Sequence, residues 1–391
     1  MKKLLQILAL ALAIGACKGE TPIELPLLTI DDLTLMEGDA TTNFDFRVRI
    51  SAPAVEVVTF TYTTVAGTAT AGEDFVAIVD GSGRIEVGSS ETTIRIEVLG
   101  DQYKENDETF SVLLGNVAGA EVAKSTGYAT IRNDDTEILI DDTGYTTPAS
   151  YAGYDLVWGD EFDGTALNTA DWTYEYGNSG WGNNELQNYT NRPENLFFSG
   201  GKMIIEARNE RFGGSNYTSS RIKTQGKRSF QYGRIDVRAK LPEGQGIWPA
   251  IWMLGESIST VGWPACGEID IMELVGHEPG TTHATVHFGE NFSVHQYRGT
   301  SSSLGAGKKF SDEFHVFSLN WEENLMEFFL DDQKFFTVTP ATTQGFPYPF
   351  NDEFFFIMNI AVGGNWPGSP NASTVFPQQM QVDYVRVFQK Q

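Results

Sequence analysis

Hydrophobic and polar positions alternate along most of this chain, and no stretch repeats its apolar residues with the 3.6-residue period of a surface helix. From Leu27 to about Asp135 the alternation comes in short segments punctuated by Gly, Asp and Asn: Phe44-Asp45-Phe46-Arg47-Val48-Arg49-Ile50, Val57 to Tyr62, Thr92 to Val98 and Thr109 to Leu114. Spacing of that kind predicts an antiparallel β-sandwich over residues 27–135. Residues 136–154 are polar and turn-rich apart from Ile138 to Ile140, and read as an inter-domain linker. From Asp155 onward strand-like runs recur at Lys202 to Ala207, Tyr232 to Leu241, Val316 to Trp321, Met326 to Leu330, Phe354 to Ile360 and Val382 to Phe388. This part also carries all eight Trp, and its 237 residues (155–391) suit a large two-sheet jelly roll. An all-β chain of two domains is expected.

The N-terminus reads as an address. Met1-Lys2-Lys3 is basic and Leu4 to Ile14 is apolar but for Gln6, too short to span a bilayer and the right length for a signal segment. Ile14-Gly15-Ala16-Cys17 resembles a bacterial lipobox. Residues 1–17 are therefore expected to be a lipoprotein signal ending in an acylated Cys17, with 18–26 as a tether. The expected location is the outer membrane and the cell surface, the lipid being the only membrane contact. An ordinary secretory signal with a chance cysteine is the alternative. Two cysteines build no disulfide framework, and acylation of one leaves Cys266 as a lone thiol.

Charge narrows the partners. Lys plus Arg total 27 against 52 Asp plus Glu, a net charge of −25, which repels phosphate backbones and excludes nucleic acid as a partner. Between Glu20 and Ile140 stand 22 acidic and 7 basic residues. They cluster where turns are predicted, so they read either as calcium ligands converging at one end of a sandwich or as a solvated acidic surface. The segments Thr68-Ala69-Thr70-Ala71-Gly72-Glu73-Asp74-Phe75, Gly100-Asp101 through Asp107-Glu108-Thr109-Phe110 and Ile131-Arg132-Asn133-Asp134-Asp135 resemble a Calx-β domain. That resemblance covers about 110 residues. It implies structural calcium at Glu37, Asp74, Asp101, Glu105, Asp134 and Asp135, with Asn133 weakening one site.

The chemistry concentrates in Gly267-Glu268-Ile269-Asp270-Ile271-Met272-Glu273-Leu274. Ile269 and Ile271 mark a strand with Glu268 and Asp270 on one face, and strict alternation would send Glu273 to the other. One extra residue near Ile271-Met272, taken up as a β-bulge, returns Glu273 to their side. The two Glu are then four pleated residues apart, about 13 Å between Cα atoms at about 3.3 Å per residue. Side chains leaning inward bring that toward the carboxyl separation of about 5–5.5 Å used by retaining glycosidases. Three acids together cannot all ionise cheaply, so one Glu is expected to hold a proton near neutral pH. Spacing alone leaves a calcium site or a solvated strand face as alternatives.

Beyond that strand, Gly246-Ile247-Trp248-Pro249-Ala250-Ile251-Trp252-Met253-Leu254, Trp263-Pro264-Ala265-Cys266-Gly267 and His287-Phe288-Gly289 resemble glycoside hydrolase family 16. Ala361-Val362-Gly363-Gly364-Asn365-Trp366-Pro367-Gly368 and Val382-Asp383-Tyr384-Val385-Arg386-Val387 extend the likeness over about 235 residues. The segments look most like the bacterial laminarinases, endo-β-1,3-glucanases. The resemblance implies a concanavalin-like jelly roll, no catalytic cofactor and a β-glucan substrate, with Glu268 as nucleophile, Asp270 tuning the pair and Glu273 as acid and base. It further implies substrate contacts at Trp252, Trp263, Asn184, Arg221 and His287, and a structural cation behind the jelly roll at Glu161, Gly200 and Asp383. Other specificities of the family (mixed-linkage glucanase, agarase, carrageenase) and a non-catalytic glucan-binding protein are the rivals. His283 and His287 have the spacing of a zinc-protease helix, but the Glu is absent and the context is β, which argues against zinc. A monomer is expected.

Overall fold

The computed structural model describes residues 24–135 and 137–391, so Cys17 and the signal segment lie outside the described residues. The described residues divide into two compact units, 24–135 and 137–391. Residues 137–154, expected as a linker, fall in the second unit.

In the first unit two sheets face each other, one of four strands and one of five. Their inward positions repeat every second residue: in Thr42–Ile50 it is Phe44, Phe46, Val48 and Ile50 that are buried. These join Ile94, Ile96, Phe110, Val112 and Ile131 in one core, with Phe75 stacked on Phe110 at 4.5 Å.

The second unit is a two-sheet jelly roll. A ten-stranded sheet backs a seven-stranded one whose order is 173–174, 221–223, 354–362, 247–255, 268–273, 281–288 and 296–303. Met203, Ile205, Ile235 and Val237 of the first meet Ile251, Met253, Ile269, Val286, Phe356 and Met358 of the second in a common core. The central strand Phe354–Val362 is buried at all nine positions, so it reads as a continuous apolar run rather than an alternating one. Its even-numbered residues enter that core, whereas Phe355 and Ile357 join Leu254 and Cys266 in a smaller cluster against Trp252 and Trp263. The acid-bearing strand lies next but one to it, between 247–255 and 281–288.

Residues 137–154 correct the linker expectation, for they belong to the jelly roll. Ile138 donates its N–H to Ser199 Oγ at 2.7 Å. Gly144 runs beside Phe314, where a Cβ would meet backbone at 2.1 Å and φ is +125°, so only glycine fits. Arg238 donates to Asp142 Oδ1 at 2.6 Å and to the Asp142 and Tyr145 carbonyls at 2.8 and 2.7 Å. Thr147 and Tyr151 complete the strap, bonding Tyr384 and Asp236.

Candidate active site

Register settles the face of each acid. Across one edge of Glu268–Glu273, Trp252 pairs with Asp270 and Ala250 with Glu273; across the other, Thr285 pairs with Asp270 and His283 with Glu273. Three steps along the acid strand therefore match two on each neighbour. The additional residue falls at Ile271–Met272, both fully buried, which is the bulge the sequence predicts. Glu268, Asp270 and Glu273 share one face.

An indole holds each glutamate. Trp263 Nε1 donates to Glu268 Oε2 at 2.9 Å, and Trp248 Nε1 donates to Glu273 Oε1 at 3.1 Å. His287 comes across from the next strand, its Nε2 3.3 Å from Asp270 Oδ2 and 3.7 Å from Glu268 Oε1. One polar atom from each of Glu268, Asp270 and His287 lies within 4.8 Å of the others.

Burial and crowding decide the charges. Burial, followed by the charge of Asp270, pushes Glu268 up to about 7. The same two causes raise Glu273 well above the usual carboxyl range, with Glu268 adding to it. Burial would depress His287, but the hydrogen bond and charge of Asp270, reinforced by Glu268 and Glu273, carry it up to about 9. Together these effects leave Glu273 protonated and His287 cationic at neutral pH, with Glu268 poised to lose its proton there. Such a strand can offer a proton donor and a carboxylate anion side by side.

The other expected contacts gather on the same face. Trp252 donates its Nε1–H to Asn359 Oδ1 at 2.9 Å, and the Arg221 guanidinium lies between the rings of Trp252 and Trp181, 4.9 and 4.6 Å from their centroids. Arg221 also pairs with Glu175, which fixes it as a partly buried cation. Asn184, in a left-handed turn, bonds Asn365 Oδ1 at 2.8 Å. Sequence reasoning missed Trp248, Trp366 and His295. Trp366 packs edge-on to Trp248 at 5.7 Å and against His283 at 4.9 Å; His295 meets His287 nitrogen to nitrogen at 2.8 Å. Trp248 stands in the quoted Gly246–Leu254 motif, and its spacing of four from Trp252 was the available signal.

The expected cation site behind the jelly roll does not fit. Arg386 grips both Glu161 oxygens at 2.7 Å, and Lys202 and Arg238 take the two Asp383 oxygens at 2.7 Å each, so both carboxylates already face cations of the chain. Gly200 is capped by Ile140 of the strap.

The acidic end of the first unit is different. Carboxylate oxygens of Asp74, Glu105 and Glu108 lie within 4.8 Å of one another, and the buried Glu108 Oε2 has no hydrogen-bond partner. Burial, then the adjoining Asp74 carboxyl and its charge, push Glu108 up to about 7. Glu37 and Glu105 are raised by burial first and then by neighbours that include Asp101 and Asp135. Asp101 and Asp134 also accept backbone N–H groups, from Tyr103 and Gly38. Carboxylate oxygens this close, one of them buried without a partner, suit a hard divalent cation. Glu108 was not foreseen among them.

Both units match known families. The Calx-beta domain model matches residues 27–143, and the model for glycosyl hydrolases family 16 matches residues 182–386. Glucan endo-1,3-beta-glucosidase A1 of Niallia circulans is 42% identical over 273 residues, covering 63% of this chain but only 40% of that protein. The beta-glucanase of Rhodothermus marinus is 43% identical over 246 residues, covering 60% of this chain and 85% of that protein. The laminarinase catalytic domain of Thermotoga maritima superposes with a TM-score of 0.58 at 42% identity, over 61% of this chain and 99% of that one. With the bulged acid strand in place, the chain belongs to the glycosyl hydrolases of family 16, carrying a Calx-beta domain ahead of its jelly roll.

Proposed function

We propose that the chain is a retaining endo-1,3-β-glucanase that cleaves laminarin-like glucan. One observation carries the reading: Glu268, Asp270 and Glu273 share a face, with an N–H donor aimed at each glutamate. Glu268 attacks the anomeric carbon as the glycosidic C–O bond breaks, and Glu273 gives its proton to the departing oxygen. A water oxygen then attacks the same carbon, Glu273 takes up its proton, and the bond to Glu268 breaks. Two displacements restore the original anomer. Asp270 and His287 keep the nucleophile's surroundings charged and ordered throughout. Trp252, Trp263 and Trp366 offer flat faces to sugar C–H bonds, and Arg221 and Asn184 offer donors.

Glu268→Gln is expected to abolish laminarin hydrolysis while retaining oligosaccharide binding, and early product from the wild type is expected to be the β anomer by proton NMR. Full activity in the folded variant, or an α anomer, overturns the mechanism. Reducing-end release from a polysaccharide panel separates laminarinase from mixed-linkage glucanase, agarase, carrageenase and a binding-only protein.

Two further parts complete the proposal. Calcium is held at the acidic end of the Calx-beta domain by Asp74, Glu105 and Glu108, with Glu37, Asp101 and Asp135 around them. A lipid on Cys17 keeps the monomeric enzyme at the outer membrane, beside the cell that takes up its products; intact-mass analysis of the mature chain tests it. Two or three acyl chains give stable retention where one does not.

A further inference from the structure

His295 takes no part in the mechanism above, yet it touches two of the groups that touch Glu268. Its Nε2 lies 2.8 Å from His287 Nδ1, and the two rings are 13° from coplanar with centroids 5.0 Å apart. Rings so nearly coplanar, with nitrogens this close, meet edge to edge through a hydrogen bond rather than face to face. The other side of His295 packs on Trp263, the indole that donates to Glu268, at 4.5 Å. The position is built: Asn291 caps the short helical turn Phe292–Val294 by accepting from Ser293 N–H, and His295 closes it with its own N–H on Phe292.

Two imidazoles facing nitrogen to nitrogen hold one proton between them, so one ring donates and the other accepts. If His287 is cationic, its Nδ1–H donates to a neutral His295 and its Nε2–H faces Asp270. If His287 is neutral, His295 Nε2–H donates, His287 Nδ1 accepts, and the remaining proton again sits on His287 Nε2. The arrangement disfavoured in both cases is a bare Nε2 aimed at two carboxylates.

We infer that His295 is a positioning residue that fixes the proton of His287 on Nε2, toward Asp270 and Glu268, in both charge states of His287. The inference rests on Glu268 being the nucleophile. Titratable groups facing the pair are Glu268, Asp270 and Glu273 from the acid strand and Tyr297 from the adjacent edge strand, whose ring is 5.9 Å from His287 and 6.2 Å from His295. With its Nδ1 partner removed, cationic His287 is less stable and lends less positive charge to Glu268. The nucleophile then ionises at higher pH.

The test uses the full chain with His295→Phe, which keeps a ring on Trp263 but cannot bond, and His295→Gln, whose amide can donate or accept. His295→Phe is expected to lose between about 10- and 100-fold in kcat on laminarin with little change in KM, the scale of a misaligned reacting group. The acid limb of its pH profile should move upward, and His295→Gln should recover most of both losses. Nitrogen-15 NMR of histidine-labelled wild type should show His287 protonated at Nε2 on either side of its titration. A wild-type His287 bare at Nε2, or a His295→Phe pH profile superimposable on wild type, overturns the inference. The NMR result needs no turnover, so a failure of the glucanase reading would be seen separately.

Discussion

Glu268 and Glu273 each accept one indole N–H, and one hydrogen bond does not offset the burial of a carboxylate beside a second negative charge. The consequence is a stability that depends on pH. Glu268 ionises near its ordinary 4.5 in the unfolded chain and is pushed up to about 7 in the folded one, by burial first and by Asp270 second. Below 4.5 both states hold the proton and nothing is lost. Between 4.5 and about 7 the unfolded chain sheds this proton while the folded one keeps it, so stability falls as pH rises across that window, by a few kcal/mol at most, and levels off above it. Glu268→Gln removes the titration. It should melt higher than wild type at pH 8, by on the order of 5 °C at about 2–4 °C per kcal/mol, and at the same temperature at pH 4. A difference in melting temperature that stays constant with pH would refute this account.

At the scale of elements, period-two alternation makes strands easy to read and makes a bulge visible where the alternation must slip. That is why the acid strand and its three carboxylates were legible in Glu268–Glu273. Trp248 and His295 were not, because their roles exist only across strands: one reaches Glu273 from a paired strand, the other reaches His287 from a turn. The strap misled for a related reason. Its composition is that of a linker, while its bonds run to Ser199, Arg238, Phe314 and Tyr384, far away in sequence. The back cation site failed likewise, since nothing local reveals that Arg238 and Lys202 fold onto Asp383. The strap's burial of Arg238, only 4% exposed, predicts a sharp difference between two truncations. Residues 137–391 should fold and hydrolyse glucan. Residues 155–391 leave Arg238 without Asp142 and the Tyr145 carbonyl, and should lose about 1.5–3 kcal/mol, the scale of hydrogen bonds to a charged group. Equal melting temperatures for the two would show that the strap contributes nothing.

At the scale of the molecule the two units divide the chemistry. On the back of the jelly roll, Glu161 and Asp383 are met by cations of the chain, Arg386 and Lys202. At the acidic end of the first unit the leading charges on Glu37, Glu105 and Glu108 are those of other carboxylates. A bound divalent ion would replace that repulsion with attraction, so calcium should stabilise one unit and leave the other unmoved. For a dissociation constant near 0.1 mM, in the range of extracellular calcium modules, 10 mM calcium contributes about 2.7 kcal/mol. Calorimetry of the full chain should then show one transition moving upward with calcium and back with chelator, while laminarin hydrolysis stays constant. Glu108→Gln removes a charge from the cluster, whose Oε2 has no donor, and should blunt that shift. It should also raise the calcium-free melting temperature of the same unit at pH 8, because less repulsion remains. If calcium leaves both transitions in place, the acidic end is a solvated surface; if it moves the transition of the jelly roll instead, the ion binds there and the pairing of Asp383 with Lys202 and Arg238 gives way to it.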